Sequence, residues 1–351
     1  MRAAHLHRGT VLFAVIALQI SSVLAGGGRN VRPVWTTDLK QRGYSIAEPP
    51  ESEARLQIAF GSMSELVVIN DQGPFAKPNP VKAFVLDTAS GAVVGEANWV
   101  TSGWPFVFAT ATGSYVAVTD KGMVLHSPGL KQIIASTPES ARHASPDGRI
   151  VAAWSAELKP GHGLTLFLDT ENLKPAGVEV LDTHVISVSR NHAAYIAWRA
   201  GNKNPTVFYL PEDDELHPYD AHCAHVRPWF ISQDLVALFG CGELEVINST
   251  ESTRVFGGHM KDGGGLAAVA RDGSRFATIE ASYSRSHSPI LKVERFTVFD
   301  VRLKGIVFNT EIKELRGRER GNSGAALSPD GSLLAINSLG VVNLYALQSG
   351  Q

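Results

Sequence analysis

Between residues 217 and 225 the chain gathers His217, Asp220, His222 and His225, with Cys223 among them. Imidazole, carboxylate and thiolate at such close range are ligands for zinc or copper. Their spacing matches no recognised metal motif, however, and the second cysteine, Cys241, suggests a different use for Cys223. The two cysteines are symmetric about Ser232. A hairpin turning there would set them opposite one another on neighbouring strands, at the separation a disulfide requires. The sequence reading therefore favours a Cys223–Cys241 disulfide and leaves the histidines as polar strand or loop residues. Neither Gly-x-Ser-x-Gly nor His-Glu-x-x-His occurs, which argues against two common hydrolase chemistries. The acidic run Glu212-Asp213-Asp214-Glu215 lacks EF-hand spacing and reads as a solvated turn. Asn248-Ser249-Thr250 is a glycosylation sequon, meaningful only in a eukaryotic secretory pathway.

The compartment argument begins at the N-terminus. Arg2 and Arg8 precede an apolar run from Val11 to Ile20, and Ser21-Ser22-Val23-Leu24-Ala25 follows. This is the pattern of a secretory signal peptide cleaved after about Ala25, since the run is shorter than the roughly 20 residues a spanning helix needs. The expected mature chain is exported, secreted or periplasmic, without a transmembrane segment. An exported chain with two cysteines is the setting in which a disulfide persists. A formal net charge of -2 gives no polyanion-binding signature, so nucleic acid is not an expected partner.

Beyond the leader the sequence repeats. Apolar segments containing Ala recur at Leu56 (LQIAF), Tyr115 (YVAVT), Ile150 (IVAAW), Ala194 (AYIAW), Leu235 (LVALF), Phe276 (FATIE) and Leu333 (LLAIN). Their intervals scatter around the roughly 40 to 50 residues of a four-stranded propeller blade. Each is followed by a second strand-like segment: VKAFVLD, MVLHS, LTLFLD, TVFYL, LEVIN, FTVFDV and VNLYAL. Three units carry a turn whose Asp can hydrogen-bond the following backbone and whose Gly accepts positive φ: Ser145-Pro146-Asp147-Gly148, Arg271-Asp272-Gly273 and Ser328-Pro329-Asp330-Gly331.

Those turns, with strand ends such as Val85-Leu86-Asp87-Thr88, Phe167-Leu168-Asp169-Thr170 and Val298-Phe299-Asp300-Val301, resemble WD40-like and TolB-like propeller repeats of bacterial exported proteins. The resemblance spans residues 33 to 350. It departs from true WD40 repeats in lacking their Gly-His and Trp-Asp dipeptides, apart from a lone Gly258-His259. It implies an all-β, seven-bladed propeller, with six blades plus an irregular N-terminal region as the alternative. The layout expected is a signal peptide over 1–25, a flexible leader over 26–32 and a single propeller domain over 33–351. In such a blade the first segments are B strands and the second are C strands. The last unit ends on a C strand, so Pro33 to Leu39 is expected to supply the missing outer strand and close the ring.

In this arrangement the long connections gather on one face, where B joins C and D joins A. Their charges lean slightly basic, and Lys77, Lys159, Arg199, Lys203, Arg285, His287, Arg316, Arg318 and Arg320 are the binding-face candidates. The expected function is a monomeric, non-catalytic propeller holding a protein, peptide or glycan, with no cofactor. The alternative is a propeller hydrolase or lyase with a metal in the central channel, which would require carboxylates, Asn and His from several blades to converge there.

Overall fold

In the computed structural model of the chain, the residues described are 31–45, 57–70, 79–101, 105–155, 164–181, 183–189, 194–199, 206–209, 214–216, 226–240, 242–251, 253–260, 264–283, 291–313 and 323–348. Among them are seven four-stranded antiparallel sheets and no α-helix. Blade 1 comprises β2 (Ile58–Phe60), β3 (Glu65–Ile69), β4 (Asn79–Asp87) and β5 (Val93–Thr101). Blade 2 comprises β6 (Val107–Ala109), β7 (Tyr115–Thr119), β8 (Gly122–His126) and β9 (Ile133–Thr137). Blade 3 is β10 (Ser140–Ala144), β11 (Ile150–Ser155), β12 (Leu164–Asp169) and β13 (Pro175–Leu181). Blade 4 is β14 (Thr183–Val188), β15 (Ala194–Arg199), β16 (Thr206–Tyr209) and β17 (Asp214–Leu216). Blade 5 is β18 (Arg227–Phe230), β19 (Leu235–Gly240), β20 (Glu243–Asn248) and β21 (Thr253–His259). Blade 6 is β22 (Gly265–Val269), β23 (Arg275–Tyr283), β24 (Leu291–Asp300) and β25 (Gly305–Ile312). Blade 7 takes β26 (Ser323–Leu327), β27 (Leu333–Ser338) and β28 (Val341–Ala346) from the C-terminal end, and β1 (Trp35–Asp38) as its outermost strand.

Burial explains why the inner strands read as continuous apolar runs. A sheet with a neighbour on each face buries successive side chains alike, whereas a strand with one solvated face alternates. Accordingly β3 and β7 are almost wholly buried, while the outermost strand β5 alternates along its length. Among the described residues the core divides into seven apolar clusters, one at each seam between adjacent blades. The seam between blades 1 and 2, for example, holds Val67, Ile69, Val85, Val107 and Tyr115, and that between blades 6 and 7 holds Phe296, Val298, Leu334 and Ile336.

The seam between blades 7 and 1 depends on the N-terminal segment. β1 pairs antiparallel with β28, Trp35 opposite Leu344 and Asp38 opposite Val341. Leu39 is fully buried among Phe60, Leu66, Ala335 and Leu344. The Trp35 indole N–H donates to the Thr88 carbonyl at 2.7 Å, and the Thr37 hydroxyl donates to the Gly91 carbonyl at 2.7 Å. Both acceptors lie in the C–D turn of blade 1, so one short segment is bonded to the first and last blades together.

Two sequence assignments change. The LQIAF segment is the A strand of blade 1, not its B strand; the B strand is β3, ELVVI, whose lack of Ala hid it from the repeat pattern. The hairpin of blade 5 pairs Arg227 with Phe239 and Phe230 with Val236, and is therefore centred on Gln233 rather than Ser232. Its turn closes by Ile231 N–H bonding to Leu235 O, one residue tighter than the Ser145-to-Ile150 turn of blade 3. The symmetry about Ser232 that paired the cysteines does not hold in this hairpin. Cys223 and Cys241 themselves lie outside the described residues.

Candidate functional site: two faces and a central channel

Most residues singled out from the sequence fall outside the described residues: His217, Asp220, His222 and His225 of the metal set, and Lys77, Lys159, Lys203, Arg285, His287, Arg316, Arg318 and Arg320 of the binding face. Arg199 is described, and it is a strand residue, the last of β15, opposite Thr183. Lys82 of β4 is paired rather than available to a ligand: its ammonium is 2.9 Å from Glu96 and donates to the Arg42 carbonyl at 2.7 Å. Among the described residues no group of three His, Cys, Asp or Glu side chains is placed to hold a metal. Of the acidic run, Asp214 and Glu215 belong to the outer strand β17. In the sequon, the Asn248 carboxamide oxygen accepts from the N–H groups of Thr250 and Glu251 and caps its own turn.

The antiparallel order of the strands puts A–B and C–D connections on one face. That face is built from its repeat residues. In blades 1, 3, 5 and 6 an Asp or Asn at the end of the C strand accepts a backbone N–H from the turn it begins: Asp87 from Ser90, Asp169 from Glu171, Asn248 from Thr250, Asp300 from Leu303. The next residue reaches sideways. Thr88 donates through its hydroxyl to Met63 O, and Thr170 to Gly148 O, each at 2.6 Å, so the C–D and A–B turns of one blade are tied together. In the Ser-Pro-Asp-Gly turns, Ser145 donates to Asp147 at 2.6 Å and Ser328 to Asp330 at 2.7 Å. The glycines of these turns have positive φ, +71° at Gly148 and +69° at Gly331. Each also abuts the turn of the preceding blade: a Cβ on Gly148 would meet Ala109 O at 2.5 Å, and one on Gly331 would meet Ser274 Oγ at 2.9 Å. Between blades, Ala111 N–H donates to Gly148 O and Asp272 N–H to Pro329 O, both at 3.0 Å.

The A strands line a central channel holding a cavity of about 220 Å³. Its wall is mostly small or apolar, with Ala59, Ala267, Ala325 and Ala326 beside Phe108, Trp229 and Phe230. The His143 and Trp229 ring centroids lie 5.9 Å apart with the planes tilted by 53°. At the turn-face end stands Arg271. It occupies the turn position filled by Pro146 and Pro329 in two other blades, and all three line the cavity. The Arg271 guanidinium crosses from blade 6 to the far side of the channel, donating through Nη1 to Ala111 O at 3.2 Å and through Nη2 to Phe60 O and Gly61 O at 3.1 Å. Burial weakens its hold on the proton, and the neighbouring Tyr115 and Asp147 act in the opposite sense. The Tyr115 phenol is pushed well up by burial and then by Glu65. Sequence reasoning treated Arg271 as an ordinary turn residue. The signal that could have revealed it is the replacement of Pro by Arg in an otherwise regular turn.

No family model and no curated protein sequence matches this chain. Among solved structures, a chain in the crystal structure of the mitotic checkpoint complex aligns over 99% of this chain and 97% of its own length, with 11% identity and a TM-score of 0.54. In all, 681 solved chains match, so the likeness identifies an architecture shared widely rather than an activity. The seven four-stranded sheets and this likeness together show the β-propeller fold.

Proposed function

We propose that the protein is an exported, non-catalytic scaffold that holds a protein partner on its long-loop face. The supporting observation is the asymmetry of the two faces. On one, the A–B and C–D turns are short and their polar groups bond one another. On the other, the connections between β3 and β4, β11 and β12, β23 and β24, and β25 and β26 are long. Long connections on a rigid ring are free to vary in sequence and are where propellers and other scaffolds carry recognition. Arg316, Arg318 and Arg320, between β25 and β26, are the densest basic group there.

The test is affinity capture from the exported fraction of the source cells, with mass-spectrometric identification. The triple change Arg316→Glu, Arg318→Glu, Arg320→Glu should abolish a specific protein interaction, whereas Asp272→Lys and Arg302→Glu on the turn face should not. Loss on the turn face with retention in the triple variant would refute the assignment. Export is tested separately: the mature chain should begin near Gly26, and an intact Met1 on exported protein would overturn the cleavage proposed.

A further inference from the structure

We propose that the central channel is a binding site for a small carboxylate with an apolar body about the size of one aromatic ring, its carboxylate on Arg271 and its body among Phe108, Trp229 and Phe230. Three observations lead to it. The cavity is large enough: an engineered apolar cavity of about 150 Å³ takes benzene, and this one of about 220 Å³ leaves room for a ring and a carboxylate. Its wall is apolar and aromatic, the usual lining of a small-molecule site, with few polar groups to fix orientation.

The third observation is the cation itself. A guanidinium has five N–H donors. Three hydrogen bonds from Arg271 go to carbonyls of blades 1 and 2, which leaves two donors unpaired among the described residues. Those bonds hold the group rigidly but do not neutralise it. No carboxylate among the described residues forms an ion pair with it, and Asp147, whose charge reaches it, is bonded to Ser145. A cation partly removed from water and fixed by neutral acceptors is preorganised for an anion, because little ordering remains to be done on binding. The Ser187 hydroxyl, also on the wall, accepts from Phe230 N–H at 3.0 Å and retains its own proton to donate. Arg271 would thus bind the carboxylate ligand as well as join blades.

The experiment is isothermal titration calorimetry of the full chain with phenylacetate, and with phenylacetamide as a neutral match. Phenylacetate should bind saturably, one per chain, and about tenfold tighter than the amide, the increment expected of a charge-assisted hydrogen bond. Arg271→Met should remove that preference. Because it also removes three blade-joining bonds, a second variant is needed: Ala268, on the cavity wall, changed to Leu (Ala268→Leu) narrows the cavity while leaving Arg271 in place, and should weaken phenylacetate by about tenfold or more. Equal affinity for acid and amide, no saturable binding of phenylacetate, or undiminished binding in Ala268→Leu would each overturn the proposal. An acetylated dipeptide ending in phenylalanine presents the same two groups on a chain terminus. Tighter binding than phenylacetate assigns the site to peptide ends, weaker binding to free acids, and both require the same Arg271.

Discussion

Removing Leu39 from the closing segment should open the seam between blades 7 and 1. The side chain is fully buried, and its neighbours Phe60, Leu66, Ala335 and Leu344 come from both blades, so they cannot collapse into the gap without moving one blade against the other. Leu39→Ala should therefore cost about 3 kcal/mol, within the range for deleting a buried leucine. In a chain of this size, with an unfolding entropy of about 2.1 cal/mol/K per residue, each kcal/mol lowers the melting temperature by roughly 1.5 °C, so a fall of about 4–5 °C is expected. Val34→Ala is the control, because Val34 lies in the same segment but is 57% exposed and engages blade 7 through its backbone N–H. It should change stability by less than about 0.5 kcal/mol. Thermal melts followed by circular dichroism, with size-exclusion chromatography of each variant, make the comparison. A chain starting at Lys40 should in addition aggregate, since β28 then presents an unpaired edge. Equal melting of Leu39→Ala and Val34→Ala, or a chain from Lys40 as stable and monodisperse as the mature protein, would refute ring closure by the N-terminal strand.

Asp300→Asn should destabilise by about 3 kcal/mol in chemical unfolding, because it leaves the Arg275 guanidinium, only 9% exposed, without the carboxylate 3.1 Å away. Although burial by itself would raise the Asp300 carboxyl, bonds from Leu303 N–H and Arg275 hold it below its usual range; its stabilisation is present above the unfolded carboxylate pKa and should fade as pH falls through the folded one. His126, 9% exposed, is depressed by burial, so the unfolded chain takes up its proton first and stability should drop as pH falls below the unfolded value of about 6.5; melts at several pH values should show this slope reduced in His126→Phe. Lys304 is exposed with φ of +52° in the turn position that Gly91 fills in blade 1, so Lys304→Gly should stabilise by about 0.5–1 kcal/mol, read from the denaturation midpoint. Finally, if the chain is exported as proposed, the denatured, unreduced protein should have no titratable thiol, and two thiols would refute a Cys223–Cys241 bond.

The propeller was legible because its blades repeat physical necessities. Ser-Pro-Asp-Gly turns and Asp-Thr strand ends mark places where a side chain must satisfy a backbone group, and these need particular residues. The B strand of blade 1 was misread because ELVVI satisfies the same burial without the alanine that marked the others. The blade 5 register was off by one position because a turn shortened by one residue leaves no compositional trace, yet shifts every pair along the hairpin. Arg271 was missed for another reason. Its partners are carbonyls, which any sequence supplies, and they lie 160 to 211 residues away, so nothing local announces the contact.

The turn glycines carry a consequence for how such a molecule can change over generations. The glycine of each Asp-Gly turn presses on the turn before it in the chain, Gly148 on blade 2, Gly273 on blade 5 and Gly331 on blade 6, so these three contacts point the same way round. A duplicated blade would bring both halves of that contact, one for the neighbour on each side, and would enter the ring already matched. A single residue inserted into a turn has no such counterpart and would collide with the blade behind it. Lineages of this fold should therefore differ by whole blades or by length on the opposite rim, while the turn rim keeps its spacing.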